Sequence, residues 1–136
     1  MLNRAAILVV EDEPFIALGL ALAIQHADGE VVGPAASVKA ALKLLETHGV
    51  VGAVLDVNLT DGVISPVVDY LMQRQIPLII QTGVGIPPDL AARFPDLIVR
   101  IKPTISDQMI AELADLIVER QVITNLALKD PDHLIG

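Results

Sequence analysis

Five short apolar runs alternate with longer segments patterned for helix, and this alternation constrains the fold more than any other feature of the chain. The runs are Ala6–Val10, Glu30–Gly33, Val50–Leu55, Pro77–Gln81 and Leu97–Ile101. After the first, Pro14 suits the opening turn of a helix, where its missing N–H costs nothing. Phe15 to Ala27 follows with apolar residues nearly all round, and Asp28-Gly29 stops it. Pro34 closes the second run. Ser37 is a good N-cap for a helix to about Thr47, with Val38, Ala41, Leu42 and Leu45 on one face. Gly49 ends that helix. Residues 57–63 read as loop, and Ser65-Pro66 opens a helix through about Gln73. Thr82-Gly83-Val84-Gly85 is a loop leading to a short helix near Asp89–Arg93. Ser106 caps a last helix that carries Met109, Ile110, Leu113, Leu116 and Ile117 at helical spacing. Strand and helix in strict alternation predict an α/β fold, a doubly wound parallel sheet with helices on both faces.

Composition supports that reading. The 136 residues have room for one domain. The apolar fraction of 53 % comes from Val, Ile, Leu and Ala, with two Phe, one Tyr and no Trp. That mixture suits strands buried on both faces. The apolar stretch Phe15 to Ile24 is too short to span a bilayer, and the N-terminal run lacks the length and cleavage site of a signal peptide. A cytoplasmic protein without membrane association is expected. No cysteine is present, which removes disulfides and thiolate metal sites. The formal net charge of −8 argues against nucleic acid as a direct partner.

Chemistry is concentrated where the strands end. In open parallel sheets, ligands bind at the carboxyl ends of the strands. The first strand ends in Glu11-Asp12, the third in Asp56, the fourth in Thr82 and the fifth in Lys102. Glu11, Asp12 and Asp56 would gather three negative charges, which repel unless a cation or a proton relieves them. None of His26, His48 or His133 falls at this edge. An all-oxygen site suits Mg²⁺, and a carboxylate can itself attack phosphorus to give an aspartyl phosphate. Phosphoryl oxygens would then need donors such as an ammonium, a hydroxyl and backbone N–H groups.

The segments ILVVEDEP, VLDVNL, QTG and RIKP, in this order, resemble the receiver domain of bacterial two-component response regulators. The resemblance extends to about residue 120, so residues 1–120 are read as a receiver domain and 121–136 as a C-terminal extension without a separate domain. It implies a flavodoxin-like fold with strand order 2-1-3-4-5. By position, Asp12 would ligate Mg²⁺ directly, with Glu11 helping, and the Asn58 backbone carbonyl would complete the site. Asp56 would be the phospho-acceptor, Thr82 the hydroxyl that moves toward the phosphoryl group, and Lys102 its ionic partner. Lys102-Pro103 would be a cis peptide. The phosphodonor would be a sensor histidine kinase or a histidine phosphotransfer protein. With no output domain following, signalling would pass by contact with a downstream protein, with homodimerisation as one route. Such a switch promotes its own phosphorylation and dephosphorylation but is not a turnover enzyme.

Two features depart from the family pattern. Residues 97–101 hold no aromatic before Lys102, and the loop DVNLTDG is short. With TGVG followed by Pro-Pro, they resemble the single-domain FAT GUY subgroup, although Ile80–Gly85 lacks that subgroup's aromatic as well. Other readings are a phosphorylation-independent interaction module on the same fold, or a phosphate sink. A haloacid dehalogenase-type phosphatase would need a second Asp where Asn58 stands, and Gly83 and Gly85 lack the spacing of a nucleotide loop.

Overall fold

A computed structural model describes residues 1–129. The main elements are β1 (Ala6–Val10), α1 (Pro14–His26), β2 (Glu30–Ala35), α2 (Val38–Thr47), β3 (Gly52–Asp56), α3 (Ser65–Gln73), β4 (Leu78–Thr82), α4 (Pro88–Arg93), β5 (Ile98–Ile101) and α5 (Ser106–Lys129). The five strands form one parallel sheet in the order β2-β1-β3-β4-β5, the order expected.

Alternation along the strands builds two cores, because successive side chains point to opposite faces. Leu8, Val10, Ala53, Leu55, Leu78 and Ile80 pack on one face with α2, α3 and α4. Ile7, Val9, Val54 and Ile79 pack on the other with α1 and α5. The central strands are therefore apolar up to their carboxyl ends, since both of their faces are dry. Every residue of β3 and β4 is buried, so polar side chains at their ends emerge at one edge of the sheet.

Several boundaries differ from the sequence reading, each for a local reason. Pro34 does not close the second strand: β2 passes through it to Ala35, across a register shift opposite Leu8/Val10. Gly33 makes this possible, with φ of +101 and no room for a side chain beside the Val9 carbonyl. Residues 57–63 are more ordered than a loop, for Asn58–Leu59 pairs antiparallel with Gly62–Val63. The Ser37 cap forms as expected, its hydroxyl accepting the Ala40 N–H at 3.0 Å. Ser106 is not a cap. The Ile105 carbonyl accepts the first bond of α5, from Met109 N–H at 3.1 Å, and Ser106 is already helical. Both Gly33–Pro34 and Lys102–Pro103 are cis.

The last helix continues without interruption through residue 120 to Lys129. Met109, Ile110, Leu113 and Ile117 bury its first half, whereas Val122, Ile123, Leu126 and Leu128 are exposed on the second. Residues 130–136, including His133, lie outside the described part of the chain. No helix among the described residues is long and apolar enough to cross a membrane.

Candidate functional site

At the carboxyl edge of the sheet, β1 and β3 bring their acidic ends side by side. Val10 pairs with Leu55, so Glu11 and Asp12 follow β1 next to the terminal Asp56 of β3. One carboxylate oxygen from each of Glu11, Asp12 and Asp56 lies within 4.8 Å of the others. Glu11 and Asp56 are buried and Asp12 is partly exposed, which leaves one side open to solvent.

Lys102 follows β5 and reaches back over this cluster. Its Nζ lies 2.9 Å from Glu11 Oε1, 3.3 Å from Asp56 Oδ2 and 3.9 Å from Glu13 Oε2. Its backbone N–H donates to the Thr82 carbonyl at 2.8 Å, which fixes where the side chain starts. Glu11 takes further donors: Gln81 Nε2 at 3.1 Å on Oε1 and Glu13 N–H at 3.2 Å on Oε2. Asp56 Oδ1 accepts the Val57 N–H at 2.8 Å.

These contacts set the electrostatics. Burial pushes the Glu11 carboxyl above its ordinary value of 4.5, against the Lys102 ammonium and the Glu13 N–H; the nearby Asp56 adds to the rise. For Lys102, burial acts downward but the hydrogen bond and charge of Glu11, with Asp56 behind, outweigh it, and the ammonium is held above 10.5. Three carboxylates thus face one close cation. The donor set is all oxygen and keeps excess negative charge, which fits a hard divalent cation such as Mg²⁺.

Thr82 is at the edge, and its hydroxyl bonds within its own loop. Its hydroxyl donates to the Gly85 carbonyl at 2.9 Å and accepts the Val84 N–H at 3.2 Å, so it closes its own loop. Asn58 is exposed, two residues past Asp56, and pairs with Val63 in the hairpin. His26 and His48 are exposed near the ends of α1 and α2, and neither belongs to the acidic cluster.

Three residues matter here that the sequence reading did not single out. Gln81 is fully buried and joins Glu11 to Thr104, whose hydroxyl donates to Gln81 Oε1 at 2.8 Å. A Gln ending an otherwise apolar strand was the available signal. Asp61 accepts the N–H groups of Val38 at 2.8 Å and Lys39 at 3.0 Å, tying the loop after β3 to the start of α2.

No family model and no curated protein matches the chain. Solved structures do. The chain belongs to the response regulator receiver domains. It is 34 % identical to SdrG from Sphingomonas melonis Fr1, over 87 % of this chain and 99 % of SdrG, with a TM-score of 0.68. The BeF3-activated conformation of SdrG matches at 39 % identity over 85 % of this chain and 99 % of that one, with a TM-score of 0.63. The response regulator PhyR from Brucella abortus is 25 % identical over 96 % of this chain, with a TM-score of 0.66; the chain spans about half of PhyR, 53 % of its length. A CheY-like receiver domain protein from Methanospirillum hungatei JF-1 shares the fold, at 18 % identity and a TM-score of 0.75.

Proposed function

We propose that this receiver domain is a phosphorylation switch whose acceptor is Asp56. The observation that carries the reading is the placement of Asp56 between a second acid pair and the Lys102 ammonium at one open strand edge. A carboxylate oxygen of Asp56 attacks the phosphorus of a phosphohistidine, the P–N bond breaks, and the imidazole leaves with the electron pair. Lys102 already sits 3.3 Å from Asp56, close enough to follow charge onto the incoming phosphoryl oxygens. Asp12, Glu11 and Asp56 would hold Mg²⁺, with the Asn58 carbonyl as a further ligand; the ion would neutralise charge on the phosphoryl group. The Thr82 hydroxyl must leave Gly85 before it can contact that group, so its rotation belongs to activation.

The phosphodonor is a histidine kinase or a histidine phosphotransfer protein. An apolar surface for such a partner borders the site: Phe15, Leu18 and Leu22 are exposed on α1, a helix with no charged residue between Pro14 and Gln25. Phe15 and Lys102 line the same shallow cavity. The BeF3-activated form of SdrG supports a two-state reading by similarity. Output would then pass by contact with a downstream protein that favours one of the two states.

Incubation with Mg²⁺ and acetyl phosphate tests the proposal by intact mass. Wild type gains one phosphoryl group, Asp56→Asn gains none, and Asp12→Ala needs at least about tenfold more Mg²⁺, as expected when a direct ligand is lost. Equal labelling of wild type and Asp56→Asn would overturn the assignment.

A further inference from the structure

Among the described residues, one buried polar side chain is left over once the acceptor, metal, hydroxyl and lysine roles are assigned. Gln81 has no exposed surface, in a strand whose neighbours Leu78, Ile79 and Ile80 are apolar and buried. A buried amide persists only where both its ends are paired. Here both are: Nε2 donates to Glu11 Oε1 at 3.1 Å, and Oε1 accepts from the Thr104 hydroxyl at 2.8 Å. The Glu11 oxygen involved is the one that takes Lys102 Nζ at 2.9 Å, and that ammonium is shared with Asp56.

The contacts form a continuous line from Asp56 through Lys102, Glu11 and Gln81 to Thr104. Its outer end lies in the turn between β5 and α5, where Pro103 and Ile105 are exposed. No aromatic residue occupies 97–101 or 80–85, so no ring is available in either segment to carry a change outward.

We propose that Gln81 is a positioning residue that couples the Glu11 carboxylate to Thr104, so that the state of Asp56 is read at the turn Pro103–Ile105. This rests on the reading of Asp56 as phospho-acceptor. When Lys102 shifts toward charge added at Asp56, Glu11 Oε1 loses one of its two side-chain donors and its bond to Gln81 tightens or turns. The amide is rigid, so a shift at Nε2 moves Oε1, and with it the Thr104 hydroxyl. Only a side chain with a donor and an acceptor at opposite atoms of one plane can transmit in this way.

Amide-resolved NMR of the full chain, with Mg²⁺ and beryllofluoride as the probe, tests the coupling. In wild type, signals of Val57 and Asn58 and those of Thr104 to Ser106 shift together. In Thr104→Val the shifts at 57–58 persist and the half-saturating beryllofluoride concentration changes less than about threefold, while shifts at 104–106 fall by at least half. Thr104→Ser keeps the hydroxyl and restores them. Gln81→Met, which keeps volume without hydrogen bonds, shows the same loss at 104–106. Undiminished shifts at 104–106 in both Thr104→Val and Gln81→Met would overturn the coupling while leaving the acceptor assignment standing. Absence of any wild-type response at 57–58 would overturn both.

Discussion

Lys102 shares one positive charge between the Glu11 and Asp56 carboxylates, and that makes it a structural residue whatever else it does. Glu11 has no exposed side-chain surface and takes its side-chain donors from Lys102 and Gln81. Removing the ammonium leaves a buried charge without its counter-ion, so Lys102→Met should lower stability on the order of 2 kcal/mol, less than in a fully enclosed pair because water reaches Lys102. Added Mg²⁺ should recover part of that loss. The pH dependence has a definite sign for each group. The Lys102 pKa is raised on folding, so its stabilisation is complete below 10.5 and fades as pH climbs through the folded value. Glu11 is also raised, but as an acid it acts in reverse: its contribution falls as pH rises above 4.5, where the folded state holds the proton more tightly. Denaturant unfolding on both sides of 10.5 checks the first statement, since Lys102→Met should flatten that limb. An unchanged alkaline limb in the variant would remove Lys102 from this role.

At the scale of elements, the loop after β3 is held to α2 rather than left free. Asp61 accepts the first two N–H groups of that helix, beside the Ser37 cap. These donors have no partners within the helix, and a carboxylate at a helix N-terminus also meets the favourable end of its dipole. The two backbone N–H groups, Lys39 first, hold the Asp61 carboxyl below its ordinary 3.8. Its stabilisation is therefore present above 3.8 and lost as pH falls through the folded value. Asp61→Ala should speed amide exchange at Val38 and Lys39 by roughly five- to tenfold, with protection in β3 unchanged. Equal exchange rates would show that water serves α2 as well as Asp61 does.

Elements of this kind explain what could be seen in the chain beforehand. The strand and helix alternation was legible because period-two and helical patterning are local, as in Leu8/Val10 against Ile7/Val9. Glu11, Asp12, Asp56, Thr82 and Lys102 were legible as an edge because each ends a strand or follows one within two residues. Asp61, Gln81 and Thr104 were not, since their partners lie 22 or more residues away and only packing brings them together. The passage of β2 through Pro34 was hidden for a related reason: it needs the positive φ of Gly33 and space beside Val9.

For the molecule as a whole, the sheet is a floor packed on both faces, and the candidate site rises from one edge of it. Two dry cores hold β1, β3 and β4, and with them the ends that carry Glu11 and Asp56, while the segments at 83–87 and 103–105 carry half-buried and exposed groups beside them. A phosphoryl group can shift such an equilibrium only by contacts it makes better in one state, and the contacts proposed for it are Lys102 and a rotated Thr82. The proposed switch therefore depends on which carboxylate receives the phosphoryl group. Borohydride trapping of the acyl phosphate formed from acetyl phosphate and Mg²⁺, followed by peptide mass mapping, reads this directly. The predicted result is a reduced residue at position 56 alone, absent without Mg²⁺; trapping at Asp12 or Glu11, or Mg²⁺-dependent trapping at no residue, would contradict it.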